Sequence, residues 1–272
     1  MQNENLIIGG IEFIQIPKGR FFMGSQDDND LAYGDEKPQH TLEIHYDYWT
    51  GKYPVSNDQF SEFVHSTSYV TRAEKDGWCW VWNSLNGKWE KVKNATWKYP
   101  TGENSKNAKL DNHPVVQVCW YDAMAFCEWL NEKKGSILPQ GYHFHLPNEA
   151  EWEKAARGPA GREWPWGNDF NVSLCNSKLD GKVDTISVGS HSPQGDSIYG
   201  VADMSGNIWE WTITLWGNDR NTPSYVYPYE SKDGRENLSA GDEFFRIIRG
   251  GSFKDDIQGV RSACRDIDPP NY

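Results

Sequence analysis

The sequence predicts one irregular, loop-rich α+β domain over residues 1–272, with little regular secondary structure. Helical periodicity occurs in only three segments, and the strand-like segments are short and scattered. The intervals 77–112 and 158–206 follow neither period, and irregular stretches this long are usually functional or clamped, often by a metal. The 14 Trp, 13 Tyr, 11 Phe and 25 Gly indicate loops held by large rigid side chains rather than a helical bundle.

Three helices are predicted, and two of them have clear start signals. A capping-box pattern at 56–59 precedes apolar residues at helical spacing, and a second pattern at 148–151 opens a helix that Gly158 can end. Between them, apolar residues at i, i+3, i+4 and i+7 within 123–130 form one stripe that ends near Gly135.

Four short strands are predicted from runs of apolar and β-branched residues. They cover 13–16, 41–46, 115–118 and 245–248, and the segment 41–46 alternates cleanly. No internal repeat, low-complexity tract or Pro/Ser linker divides the chain, so we expect a single domain.

The composition argues against nucleic acid and membranes as partners. The chain carries 27 Lys+Arg against 39 Asp+Glu, a net charge of −12, and lacks the basic patch with which proteins grip nucleic acid. No stretch approaches the roughly 20 apolar residues of a membrane span. The first residues lack the basic start of a signal peptide, so we expect a cytoplasmic protein, with a mature exported form left open.

The five cysteines do not form a disulfide pattern. Their number is odd, their spacing is wide, and no C-x-x-C occurs. Cys264 is expected to be a buried structural thiol rather than a nucleophile, because unpaired cysteines usually behave as small hydrophobic residues.

Eight sequence blocks occur in a fixed order along the chain. They are IPKGRFFMGS (16–25), DEKPQH (35–40), PVSNDQF (54–60), HPVVQVCWYDA (113–123), LPNEAEWEKAARG (146–158), WPWGN (164–168), DMSGNIWEW (203–211) and RGGSF (249–253). This order resembles the formylglycine-generating-enzyme family, also called the sulfatase-modifying-factor family, over about residues 11–265. The resemblance implies a C-type-lectin-like fold that is steadied by calcium.

The family contains oxidases, sulfoxide synthases and binding proteins without chemistry, so the fold alone does not give the function. Members that oxidise a substrate cysteine hold Cu(I) with two cysteines just past the Gly-Gly-Ser block, because soft Cu(I) prefers thiolates. Those two positions fall here on Asp255 and, through a shortened loop, near Val260. We therefore do not expect the chain to bind copper, and we favour a protein that is not an enzyme.

A histidine metal site is also not expected. The sulfoxide-synthase branch uses a three-histidine iron site that depends on an extra N-terminal helical domain, and no segment of this sequence resembles that domain. His143 and His145 alternate and could share one face of a strand. Half-buried strand histidines are the favoured interpretation of this pair.

The resemblance implies two structural calcium sites, and calcium takes six to eight oxygen ligands. The implied ligands of the first site are Asn176, the Ser177 carbonyl, Asp180 and the Lys182 carbonyl, and those of the second are Asp203, the Gly206 and Ile208 carbonyls and Glu210. The alternative is that Asp203 and Glu210 only cap turns. Calcium in these sites would clamp the irregular region 158–206.

The leading functional hypothesis is a non-catalytic, calcium-stabilised module that binds a protein, a peptide or a small polar ligand. Its predicted binding surface follows Gly250-Gly251 and comprises Ser252, Phe253, Lys254, Asp255, Asp256, Gln258, Arg261 and Arg265. One subtype is the variable protein of a diversity-generating retroelement, in which this segment is diversified. The alternative is a formylglycine-generating or related thiol oxidase with a rearranged site, and a third hypothesis is an accessory or sensor domain beside a partner enzyme.

The end of the sequence departs from the family pattern. Family members usually close with a Gly-Phe-Arg strand that pairs near the N-terminus, whereas this sequence ends with residues 268–272. Without that strand, a sheet edge would be open to self-association or to a donated partner strand.

Overall fold

A computed structural model of the chain describes residues 6–103, 105 and 110–272. Helices and strands are both short in this structure, and loops connect most of them. The strands are β1 (Leu6–Ile8), β2 (Ile11–Ile16), β3 (Gly19–Met23), β4 (His40–Ile44), β5 (Tyr48–Gly51), β6 (Trp78–Asn83), β7 (Lys88–Lys93), β8 (Glu210–Gly217), β9 (Phe245–Arg249) and β10 (Arg265–Asp268). The helices are α1 (Asn57–Thr67), α2 (Arg72–Asp76), α3 (Trp120–Lys134) and α4 (Glu149–Arg157).

The strands pair in four small antiparallel sheets. Two have three strands, in the orders β1-β2-β5 and β10-β9-β8, and the pairs β3-β4 and β6-β7 form two-stranded sheets. β2 is paired along both edges, so β1 and β5 are the outer strands of its sheet. In the C-terminal sheet, Asp266 lies opposite Ile248 and Asp268 opposite Arg246.

The predicted helix starts are confirmed. Ser56 caps α1 by accepting a hydrogen bond from the backbone N–H of Gln59, whose side chain accepts the N–H of Ser56 in return. Asn148 and Glu151 make the same reciprocal pair at the start of α4. These caps satisfy backbone donors that have no partner within the helix.

Two apolar clusters hold the elements together. The first packs β2 and β3 against α4 through residues that include Ile16, Phe21, Met23, Trp152 and Ala156. The second joins α1 to α3 through stacked and edge-to-face rings that include Phe60, Phe63, Phe126 and Trp129. Aromatic side chains therefore form much of the core, as the sequence indicated.

Two sequence predictions about the backbone are wrong. Residues 115–118 do not form a strand, because Gln117 has φ 59° and the local pairing is limited to one bridge between Ser56 and Pro114. The interval 77–112 is not irregular throughout, since it contains the hairpin β6–β7. The interval 158–206 contains only two short 3-10 turns, as predicted. Among the described residues, no helix is long and apolar enough to cross a membrane.

Candidate ligand-binding cleft

A cleft of about 910 Å³ lies between the hairpin β6–β7, the loop before α4 and the C-terminal tail. This volume is within the range of about 300–1,000 Å³ that is usual for small-molecule sites. Its aromatic wall includes Trp49, Trp80, Trp82, Trp89, Tyr142, Trp209, Trp211, Phe253 and Tyr272. Its charged groups include Glu210, Arg220, Lys254, Asp266 and Asp268.

The hairpin supplies an aromatic pair to this wall. Trp82 and Trp89 are cross-strand neighbours whose ring centroids lie 5.6 Å apart at an angle of 69°. The Lys254 ammonium lies 5.6 Å from the Trp82 ring centroid and 5.2 Å from the Trp89 ring centroid. Asp255 Oδ1 lies 3.5 Å from the same ammonium group. One ammonium group is thus held between two indole rings and a carboxylate.

The loop after Gly250 is closed by its own side chains. Gly251 has φ 73°, and a Cβ there would lie 2.4 Å from the carbonyl oxygen of Gly259, so this position requires glycine. Ser252 donates from its N–H and its hydroxyl to Asp255 Oδ2, at 2.9 and 2.7 Å. The Val260 side chain is fully buried in a small apolar cluster. Asp255 and Val260 therefore stabilise the loop and offer no thiolate.

The thiols in and near the cleft are partly or fully buried, and burial raises their pKa values. Cys79 and Cys127 contribute to the cleft wall, and burial raises the pKa of Cys79 to about 11 and that of Cys127 to about 12. Cys264 is 2 % exposed, and burial raises its pKa well above the usual range. The expectation of a structural Cys264 is confirmed, because a buried neutral thiol is a poor nucleophile.

The predicted binding surface needs a correction at its two arginines. Arg261 is fully buried and donates to Glu36 and to Glu163 Oε1, the latter at 3.1 Å. Arg265 is 5 % exposed, and its Nε donates to Glu149 Oε1 at 2.6 Å. Both guanidinium groups form ion pairs in the interior, so neither reaches a ligand at the surface.

The other predicted surface residues lie around the loop with different exposures. Ser252 is buried, Asp256 is exposed, and four residues, Phe253, Lys254, Asp255 and Gln258, are partly buried. Ser252, Phe253 and Lys254 line the cleft. The structure thus brings Ser252, Phe253 and Lys254 of the predicted surface to the cleft, whereas the other five residues do not line it.

Asp203 and Glu210 are ionisable groups in an environment that disfavours their charge. The pKa of Asp203 is raised to about 6 and that of Glu210 to about 7, mainly by burial; Asp196 contributes to the rise at Asp203, and Asp203 contributes to the rise at Glu210. Asp203 Oδ2 accepts the Gly189 N–H at 2.6 Å, and Glu210 Oε2 accepts the Trp152 indole N–H at 2.8 Å. Within the described chain, neither carboxylate has a cationic side chain as an ion-pair partner. A bound cation would compensate both charges.

The segment of the first implied calcium site, 176–182, lies beside that of the second, because Asn176 is hydrogen-bonded to Asn207. The Asn176 carbonyl accepts the Asn207 N–H at 2.8 Å, and the Asn176 amide donates to Asn207 Oδ1 at 3.1 Å. The side-chain oxygen of Asn176 is buried and has no hydrogen-bond partner in the described part of the chain. Asp180 forms an ion pair with Lys182 at the surface. The side-chain oxygen of Asn176, which is buried and has no hydrogen-bond partner among the described residues, is available to a hard cation.

The prediction that His143 and His145 lie on a strand is wrong. His143 and His145 lie in a loop that lines the cleft, and both are mostly exposed. Their ring centroids lie 5.0 Å apart. Across residues 6–103, 105 and 110–272, no group of three or more His, Cys, Asp or Glu side chains is arranged to hold a metal ion.

Comparison with protein families shows a match to the sulfatase-modifying factor enzyme 1-like domain over residues 9–272. The chain belongs to this family. It is 32 % identical to the formylglycine-generating enzyme of Thermomonospora curvata, over 88 % of this chain and 82 % of that protein. It is 30 % identical to the inactive C-alpha-formylglycine-generating enzyme 2 of Bos taurus, over 92 % of this chain and 78 % of that protein.

Solved structures confirm the formylglycine-generating-enzyme-like fold. PvdO from Pseudomonas aeruginosa superposes with a TM-score of 0.70 and 22 % identity, covering 97 % of this chain and 90 % of that one. Treponema denticola variable protein 1 superposes with a TM-score of 0.63 and 19 % identity, covering 100 % of this chain and 95 % of that one. At these identities the likeness establishes the fold only.

Sequence reasoning missed the wall that the hairpin contributes to this family member's cleft. The signal was present, because residues 78–83 alternate Trp with smaller residues and a turn ending at Gly87 leads into an amphipathic segment. It also missed Asp266 and Asp268, whose two-residue spacing on β10 brings both side chains to the cleft.

Proposed function

We propose that this protein is a non-catalytic ligand-binding module of the formylglycine-generating-enzyme family, with the aromatic cleft as its binding site. One observation supports the proposal: of the positions that the family resemblance assigns to the copper ligands, the first is Asp255, which is hydrogen-bonded to Ser252, and the second falls near Val260, which is fully buried. A carboxylate is a poor ligand for Cu(I), and an aliphatic side chain is no ligand at all. The residues present do not fit copper.

The remaining chemistry of the cleft suits recognition. Large rigid rings offer contact area at low entropic cost, and a few charged groups between them can orient a ligand. The similarity to an inactive relative is compatible with loss of chemistry on this fold. The fold is shared with a variable protein, and the segment after Gly251 is one candidate for a diversified surface in this proposal.

Calcium is part of this proposal as a structural cofactor. Asp203 and Glu210 fit a cation, because each keeps one carboxylate oxygen without a hydrogen bond in the described residues. The Gly206 and Ile208 carbonyls would add two ligands to that site, and the buried Asn176 oxygen would belong to the other site. Bound calcium would supply charge compensation and would fix the irregular segment that precedes β8.

The oxidase alternative is supported by the identity to a formylglycine-generating enzyme, so the first experiment separates the two classes. The protein, supplied with Cu(I), is incubated in air with a Cys-x-Pro-x-Arg peptide, and the peptide mass is followed. We expect no aldehyde and no stoichiometric copper binding. The Thermomonospora relative is the active control.

A double variant, Asp255→Cys with Val260→Cys, is the matched control for copper itself. It restores both thiols in the same loop, and we expect it to bind Cu(I) where the unmodified chain does not. Aldehyde formation by the unmodified chain would overturn the proposal. The binding role is tested by tryptophan fluorescence with a defined library of acetylated hexapeptides, and it fails if no peptide gives a saturable change.

A further inference from the structure

Two histidine side chains lie next to each other in the loop before α4, on the wall of the cleft. We propose that His143 and His145 together bind a divalent metal ion that prefers nitrogen ligands, with Zn²⁺ as the representative ion. The inference goes beyond the proposed binding function and does not depend on it, because zinc binding is measured without a peptide. Soft Cu(I), which prefers thiolates, is not the ion proposed.

The separation of the two imidazole rings fits two ligands of one ion. Their centroids lie 5.0 Å apart, and the angle between the ring planes is 36°. A zinc-bound imidazole nitrogen lies about 2.0–2.1 Å from the ion, which places the ring centroid about 3.2 Å from it. Two centroids at the observed separation then give an N–Zn–N angle of about 100°, close to the tetrahedral angle of about 109° that zinc prefers. The rings are therefore already at the spacing that a shared ion requires.

His145 is held in the tautomer that a metal ligand needs. Its Nδ1 lies 2.7 Å from the carbonyl oxygen of Leu146, and since a carbonyl oxygen can only accept, Nδ1 carries the hydrogen. In the neutral ring, Nε2 is then unprotonated and offers its lone pair. A hydrogen bond from the far ring nitrogen to a carbonyl is the usual support of a metal-bound histidine. Among the described residues, the ring of His143 has no hydrogen-bond partner, so either of its nitrogens can turn to the same ion.

The residue between the two histidines is anchored through both of its backbone groups. Asn131 on α3 donates from Nδ2 to the Phe144 carbonyl at 2.8 Å and accepts the Phe144 N–H at 2.7 Å. The Phe144 ring packs against the core, with its centroid 5.8 Å from that of Phe13. Exposure alternates along this segment, because Phe144 packs inward while both histidines are exposed. The helix therefore fixes the backbone that carries the pair, which lowers the entropic cost of bringing two ligands to one ion.

The donor set selects the class of ion. Neutral imidazole suits zinc and its neighbours in the first transition series, whereas calcium and magnesium take oxygen ligands. A tetrahedral zinc ion held by two histidines keeps two positions for water or for an atom of a ligand in the cleft, since both histidines line the cleft. The site is thus open, unlike the closed four-ligand site of structural zinc. The chain's net charge of −12 favours the approach of a dication.

The test follows the imidazole nitrogens by NMR in untagged, calcium-saturated protein that carries ¹⁵N-labelled histidine. Without zinc, we expect His145 to show the Nδ1–H tautomer that its contact with Leu146 requires. As zinc chloride is added, Nε2 of His145 and one nitrogen of His143 should shift together, and the other histidines should stay unchanged. Calorimetry of the same titration measures the affinity and the stoichiometry, and we expect one zinc ion for each chain.

Two variants and one control locate the ion. His143→Gln and His145→Gln each remove one of the two ligands, so each should weaken zinc binding by about tenfold or more. Both side chains are exposed, and neither substitution should change the melting temperature of the zinc-free protein. His65→Gln, at an exposed histidine of α1 that does not line the cleft, is the matched control and should keep the full affinity.

The outcomes distinguish a two-histidine site from general binding to surface histidines. Zinc affinity that survives the double substitution of His143 and His145, or that falls as much in His65→Gln, would overturn the inference. The same holds if all histidine rings shift alike, or if zinc-free His145 shows the Nε2–H tautomer. The hexapeptide library tests the binding function separately, so either result leaves that function undisturbed.

Discussion

Buried arginines in this interior are paired with buried glutamates. Arg249 donates to Glu153 Oε2 at 2.6 Å and to Glu149 Oε1 at 3.3 Å, and Arg265 donates to the same Glu149 at 2.6 Å. These side chains are at most 5 % exposed. Two charges removed from water are tolerated only when each is neutralised and hydrogen-bonded, so this set acts as a unit.

Substituting Glu149→Gln should therefore be severe. The glutamine keeps the shape but leaves two buried guanidinium groups without their shared carboxylate, and we expect a loss of about 3–5 kcal/mol in the free energy of unfolding. Urea denaturation followed by tryptophan fluorescence measures the change. The control is Glu43→Gln, which breaks an exposed ion pair with Arg20, and its midpoint should hardly move. Equal effects of the two substitutions would contradict this view of the interior.

The roles of single residues could be predicted from the sequence only where the partner is near in the chain. The cap of Ser56 was predictable, because Gln59 is three residues away. The burial of Arg261 was not, because its partner Glu36 lies 225 residues earlier. An arginine is usually a surface residue, and the sequence does not show which distant carboxylate takes it inside.

At the level of elements, the hairpin β6–β7 depends on side chains rather than on a broad sheet. Two-stranded sheets are marginal alone in water. This one is held by Lys254 against Trp82 and Trp89, and by Lys91, whose ammonium lies 3.5 Å from the Trp78 ring centroid. We infer that the rings which form the cleft wall also keep the hairpin in place.

Trp82→Ala should loosen the hairpin without unfolding the domain. The substitution removes the Trp82 ring and with it the contacts to Lys254 and to Trp89. Two contacts of this type together contribute about 1–2 kcal/mol. Hydrogen exchange should therefore speed up about tenfold for amides of 78–93 and stay unchanged in α4. Leu85→Ala, at a tip residue that is 98 % exposed, is the control. Faster exchange throughout α4 would show that the hairpin is not an independent unit.

The sequence predicted elements well where periodicity and caps are both local. The helices α1, α3 and α4 and the strands β2, β4 and β9 were all predicted within a few residues. The strand at 115–118 was not formed, because the positive φ of Gln117 bends the chain away from pairing. In the site, the loop after Gly251 was predicted, but the cleft was not, because its other walls come from segments far apart in the chain.

At the scale of the whole molecule, the segment between α4 and β8 is the part whose stability most needs an explanation. The interval 158–206 has no long helix or strand to satisfy its backbone, and its Asn176 side chain donates to Asn207, just beyond the end of the interval. Charge compensation at Asp203 and Glu210 would hold the end of this interval against α4, since Glu210 accepts the Trp152 N–H. Calcium would thus act on the global fold rather than on a ligand.

Removing calcium should consequently lower the melting temperature of the entire domain. Any ligand that binds only the native state at 100 times its dissociation constant stabilises it by about 2.7 kcal/mol, so calcium added back to chelator-dialysed protein should restore a clear shift. Glu210→Gln keeps an acceptor for Trp152 but removes a charge, and it should reduce the calcium-induced shift. Glu230→Gln, at an exposed position, should retain it. Magnesium at the same concentration should do less, because it demands a tighter octahedral shell. A melting temperature that is indifferent to chelator and to calcium would mean that Asp203 and Glu210 only cap turns, and that the loops hold themselves.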